Sequence, residues 1–121
     1  MTELELRQPK VKESELQAAC LQWLKVRGVL HWRMSLGPIL HQRAGNAFWR
    51  KNPLKGFPDI AGVLKRQHPG VMFAIELKAR GGRISPEQQA WIDMLNKAGA
   101  KAAVVRSMSE LYEVMKLWGE V

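Results

Sequence analysis

The sequence holds a single cysteine, Cys20. One thiol can form no internal disulfide framework and no cysteine-based zinc cluster. Long apolar runs are missing too: none approaches the roughly 18–20 residues of a membrane span. Residues 1–12 are polar and mixed in charge, without the apolar stretch of a signal peptide. The expectation is a cytoplasmic protein with no membrane partner. Acids are scarce, with 11 Asp and Glu against 19 Lys and Arg, a net charge of +8. There is no internal repeat, no low-complexity tract, and no pattern of a zinc finger, a recognition helix or a Gly-rich nucleotide loop.

What is present fits one globular domain. A chain of 121 residues with 46% hydrophobic and 25% charged residues has ordinary domain length and composition. Residues 1–12 lack periodicity and read as a flexible arm, leaving 13–121 as the domain. Ser14-Glu15-Leu16-Gln17 has the form of a capping box. Leu16, Ala19, Cys20, Trp23 and Leu24 then form one helical stripe that Gly28 ends. Val29–Met34 reads as a strand. Residues 35–57 are punctuated by Gly-Pro, Gly-Asn and Asn-Pro pairs and read as a long loop with a short strand at Ile39–Arg43; loops of that length are usually functional.

Asp59–Lys65 and Val71–Lys78 form a predicted hairpin through Pro69-Gly70. A second box, Ser85-Pro86-Glu87-Gln88, opens a helix whose buried face should carry Trp91, Leu95 and Ala98. Lys101–Arg106 contains the apolar run of a strand buried on both faces. A third box, Ser107 to Glu110, starts a last helix with the stripe Met108, Leu111, Val114, Met115 and Trp118. The implied architecture is α/β, a mixed sheet flanked by helices.

The charge distribution points to chemistry. Between Arg43 and Arg83 lie nine basic residues and only two acids, Asp59 and Glu76. Two isolated carboxylates would repel a phosphate backbone unless a cation compensated them. Asp59 begins one strand and Glu76 lies near the end of the next, so a hairpin brings them to one edge of the sheet. Lys78, two residues beyond Glu76, shares its face. Hard oxygen donors of this kind suit Mg²⁺ or Mn²⁺. The plainer reading is that Asp59 caps a turn and Glu76–Lys78 is a solvated ion pair. Arg33, Arg43, Arg50, Lys51, Lys55, Arg80 and Arg83 are candidate phosphate contacts, which supply affinity without reading sequence. Trp49, among the charges of the long loop, reads either as a base-stacking residue or as a loop anchor.

Gly56-Phe57-Pro58-Asp59-Ile60-Ala61-Gly62, Ile75-Glu76-Leu77-Lys78, and Gly81-Gly82-Arg83-Ile84-Ser85-Pro86-Glu87-Gln88 together closely resemble the VRR-NUC family of the PD-(D/E)XK nuclease superfamily. The resemblance runs from Glu15 to the last strand. It implies a restriction-endonuclease-like αβββαβ core, with Asp59, Glu76 and the carbonyl of Leu77 as ligands of Mg²⁺ or Mn²⁺. It also implies Lys78 as catalytic lysine, with Glu15 and Gln88 as further catalytic residues. The plainer alternatives are Glu15 as a first-turn acid favoured by the helix dipole and Gln88 as a residue spent on its capping box. The implied activity is structure-selective DNA cleavage, four-way (Holliday) junctions above all, in recombination or repair. Attack by a metal-activated water would leave 5′-phosphate ends. A homodimer is expected, because paired cuts need paired sites, with Phe48, Trp49, Leu117 and Trp118 as interface material. A non-catalytic nucleic-acid-binding module is one alternative, and the intact Asp59, Glu76 and Lys78 set argues against it. A ribonuclease on the same scaffold is the other; no motif reads a 2′-hydroxyl.

Overall fold

The structure, a computed structural model, describes residues 2–3 and 10–121. Most of the arm expected over 1–12 lies outside the described residues. The described chain runs α1 (Glu13–Val26), β1 (Leu30–Arg33), β2 (Ile39–Arg43), β3 (Asn46–Arg50), β4 (Ile60–Val63), β5 (Met72–Leu77), α2 (Pro86–Lys97), β6 (Lys101–Val105) and α3 (Met108–Leu117). Four strands form a mixed sheet in the order β1-β4-β5-β6, antiparallel except for the β5–β6 pair. The α/β reading with flanking helices therefore holds. No described helix is long and apolar enough to cross a membrane.

Alternation along β5 sorts the two faces. Phe73, Ile75 and Leu77 enter the main core with Leu16, Cys20 and Leu24 of α1 and Leu111 and Met115 of α3. Ala74 faces the other way, onto Ile92 of α2 and Ala102 of β6. That second cluster is small, and Glu76 is the next residue on its side of the strand. Gly62 on β4 is required by close approach, since a Cβ there would collide with the Leu30 carbonyl and the Phe73 ring.

Several local expectations need correction. Ser14 does not cap α1: the helix begins at Glu13 with Lys12 at the cap and no side-chain cap bond. The Lys12 carbonyl already accepts from Leu16 N–H, placing Ser14 inside the first turn. The boxes at Ser85 and Ser107 form, the second with a shift. Glu110 N–H donates to Ser107 Oγ, but the Glu110 carboxylate accepts from Arg106 N–H (2.6 Å) rather than from Ser107. The buried residue of α2 is Ile92; Trp91 and Leu95 are half-buried and Ala98 is exposed. Strand β6 is an edge strand, with only Ala102 and Val105 buried. Trp118 is buried against Phe73 and is no interface residue, whereas Leu117 is 80% exposed.

The long loop contains a second strand. β2 and β3 form their own antiparallel ribbon, turning at Ala44-Gly45 with φ of 50° and 81°. Positive φ at both central residues is the geometry of a tight type I′ hairpin. Every residue of β3 is exposed, as is all of β2 except His41. The β4–β5 connection is clasped from the chain's other end: Glu120, 4% exposed, accepts from Lys65 N–H (2.9 Å) and Arg66 N–H (2.7 Å) through Oε1.

Candidate active site

Register brings the carboxylates together. Ile60 pairs with Ile75, so Asp59 and Glu76, one step further out, face each other across β4 and β5. Leu77 N–H donates to Asp59 Oδ2 (2.8 Å), while the Asp59 carbonyl accepts from Met34 N–H (2.8 Å). Asp59 is thus held from both neighbouring strands, by β5 through its side chain and by the end of β1 through its backbone.

Glu76 is 2% exposed. Its Oε1 lies 3.9 Å from Lys78 Nζ and accepts from Gln88 Nε2 at 3.1 Å. Burial, then the Asp59 charge, push the Glu76 carboxyl up to about 8; Lys78 opposes this, while a hydrogen bond to Asp59 and the charge of Glu13 add to it. Near neutral pH the buried Glu76 carboxyl therefore keeps its proton, because desolvation and the charge of half-buried Asp59 both disfavour a second ionised acid there. This is neither a turn cap nor a solvated ion pair.

Gln88 serves two structures at once. Its Oε1 accepts from Ser85 N–H (2.9 Å) and its own N–H donates to Ser85 Oγ (3.1 Å), completing the capping box. Its Nε2 remains for Glu76. The neighbouring Gln89 binds Asp93 instead. The first-helix acid is a different matter. Glu15 is exposed; the carboxylate of α1 whose charge acts on Glu76 is Glu13, which sequence reading passed over because it lies ahead of the supposed cap.

Asp59, Glu76, Leu77, Lys78 and Gln88 therefore meet at one place. Arg33 is exposed at the end of β1, beside the Met34–Asp59 bond. Lys51 is exposed and stands 4.0 Å from Glu87, and exposed Lys55 gives its carbonyl to Trp91 Nε1 (3.1 Å). Arg43 and Arg50 lie on the ribbon, and Arg83 is exposed in the loop after β5 where Arg80 is half-buried. Sequence reading missed Arg106, whose Nη1 donates to the carbonyls of Ala79 (3.2 Å) and Gly82 (2.6 Å). It fixes the loop that follows Lys78. Its partners are backbone groups, so no side-chain pattern could announce it.

The buried Glu76 carboxyl and the half-buried Asp59 carboxylate, beside a backbone carbonyl position, form an oxygen donor set of the kind Mg²⁺ and Mn²⁺ prefer. Among the described residues there is no group of three or more His, Cys, Asp or Glu that could hold a metal ion, so water or substrate oxygens would complete any coordination shell.

A mixed sheet flanked by helices, with an acidic pair at one edge, defines a mixed α/β domain. A solved structure described as a "VRR_NUC domain protein" shares the fold with a TM-score of 0.57 at 21% identity, covering 89% of this chain and 88% of its own. The model of the VRR-NUC domain matches residues 11–109, and the chain belongs to the VRR-NUC domain family. No curated protein matches it. Family membership makes nucleic acid, DNA in the first place, the substrate of the fold.

Proposed function

We propose that this protein is a divalent-metal-dependent endonuclease that cuts branched DNA, four-way junctions in particular, as a symmetric homodimer. The observation carrying the reading is the pairing of buried Glu76 with half-buried Asp59, with Lys78 beside them. A protein that only bound phosphate would gain nothing from two acids there. When bound by Asp59, Glu76 and the Leu77 carbonyl, Mg²⁺ or Mn²⁺ would neutralise the pair and polarise a phosphoryl oxygen.

The chain's own groups have separable tasks. Leu77 N–H fixes the Asp59 carboxylate, and Gln88 Nε2 fixes that of Glu76. The Lys78 ammonium, partly shielded from solvent, is placed to meet negative charge that develops on the phosphate as water attacks in line. Arg106 holds the following loop, and with it the approach of Arg83 to the substrate strand.

Pairing of two copies answers the symmetry of a four-way junction, because an isologous interface relates two sites by the two-fold axis the junction itself has. Leu40 and Trp49, opposite each other on one ribbon face and 47% and 68% exposed, are apolar surface of the kind such an interface covers. Leu117 offers a second patch.

The test is a panel of duplex, flap, four-way-junction and single-stranded DNA and RNA with Mn²⁺, Mg²⁺ or EDTA. Fastest cleavage of the junction, 5′-phosphate ends and silence in EDTA are expected, with light scattering giving twice the 13.8 kDa chain mass. Cleavage that persists in EDTA, or RNA cut in preference to DNA, would defeat the reading. A 13.8 kDa particle making uncoupled nicks would defeat its dimeric part.

A further inference from the structure

The ribbon of β2 and β3 has a second face, distinct from that of Leu40 and Trp49. Opposed residues of an antiparallel pair share a face, so the pairs Ile39–Arg50, His41–Phe48 and Arg43–Asn46 lie together. On that face the rings of His41 and Phe48 stack with centroids 5.4 Å apart and planes 13° from parallel. The Arg50 guanidinium lies 5.7 Å from the Phe48 ring centre. The result is an ordered ridge, guanidinium over phenyl over imidazole, with Arg43 towards the tip.

Charge and position select its partner. Residues 34–58 contain Arg43, Arg50, Lys51 and Lys55 and no acid. Both feet of the ribbon adjoin the candidate active site. Met34, before it, is bonded to the Asp59 backbone, and Gly56, after it, lies against Glu87 and Gln88. Two strands of five residues, rising about 3.3 Å per residue, make an arm roughly 16 Å long. The DNA major groove, about 12 Å wide, admits a two-stranded ribbon, whereas that of duplex RNA is too narrow.

We propose that the ribbon is a DNA-binding arm that seats its Arg43–His41–Phe48–Arg50 face in the major groove of the duplex beside the scissile phosphate. This rests on the nuclease reading only for which phosphate is scissile. Affinity comes from the two arginines at the groove's phosphates, and Phe48 keeps Arg50 extended over its ring.

The experiment measures binding rather than cleavage. The full chain in EDTA is titrated with a fluorescent 20-base-pair DNA duplex and an RNA duplex of matching sequence over a range of salt. The Arg43→Ala/Arg50→Ala variant should bind DNA at least ten-fold more weakly, and its log K against log[salt] slope should fall by about 0.9 per lost contact, near 2 in all. Phe48→Ala should weaken binding several-fold. Arg66→Ala, on the β4–β5 connection, should leave binding unchanged, and RNA binding should be weaker than DNA binding and indifferent to the ribbon variants. Wild-type affinity and slope in the double variant would overturn the proposal, as would an equal loss on RNA. So would a halved particle mass with undiminished affinity per chain, which would make this face a protein interface. A protein that binds through the ribbon yet cuts nothing with Mn²⁺ would refute the nuclease reading and leave the arm standing.

Discussion

Asp59→Asn is expected to lower junction cleavage by about 10³-fold or more, since a bound metal contributes several kcal/mol to the transition state and each 1.36 kcal/mol is a factor of ten. Asparagine keeps an oxygen that accepts from Leu77 N–H, so folding should survive. DNA binding in EDTA should hold or tighten, because a negative charge beside the phosphate has gone. Lys78→Ala should give a comparable loss of turnover with Mn²⁺ affinity retained, as an ammonium cannot ligate a cation. Calorimetry with Mn²⁺ and single-turnover cleavage separate the two. Full activity in Asp59→Asn, or a lysine variant that loses metal binding yet turns over normally at saturating Mn²⁺, would show that these groups have other duties.

The metal-free protein should lose stability as pH rises from about 4.5 to 8, by a few kcal/mol in total. Glu76 has an ordinary value of 4.5 and is raised to about 8 in the fold. Within that window the folded state holds a proton that the unfolded state has released, so raising pH favours unfolding. Below the window the contribution is complete; above it the contribution is lost. Urea unfolding in EDTA at pH 5, 6.5 and 8 measures the slope. Glu76→Gln, neutral throughout, should flatten it, and Mn²⁺ should restore stability most at the alkaline end, where it has no proton to displace. A flat profile for the wild-type chain would mean that Glu76 is ionised without help.

Residues that announce themselves locally were legible in the sequence. Asp59, Glu76 and Lys78 follow from alternation and a hairpin, and Ser85 with Gln88 from capping spacing; the structure joins these two signals at one carboxylate. Gln88 had been readable as cap or as site residue, and its amide has two ends, one bonded in the cap and the other to Glu76. Strand β3 escaped because alternation marks a strand only when one face is buried, and both faces of the ribbon are exposed. The β6 run Ala102–Val105 looked doubly buried because composition cannot tell a central strand from an edge covered by one thin helix. The choice between Glu13 and Glu15 depends on where α1 begins against the sheet, and the expected cap at Ser14 stood two residues past the actual one at Lys12. Glu120 and Arg106 act on backbone groups 54 and 27 positions away, a kind of partnership that leaves no trace in residue type.

Cys20 has a use of its own. Its side chain is fully enclosed, burial drives the thiol up to about 12, and its Sγ donates to Met108 Sδ at 3.7 Å across the α1–α3 contact. A thiol reagent reacts with thiolate, so the native chain should be close to inert, and labelling should proceed only through molecules in which α1 has lifted from the core. The single cysteine is thereby a built-in clock for that opening. Its modification rate, compared with that of the unfolded chain, reads the free energy of detaching the first helix, with no probe added to the protein.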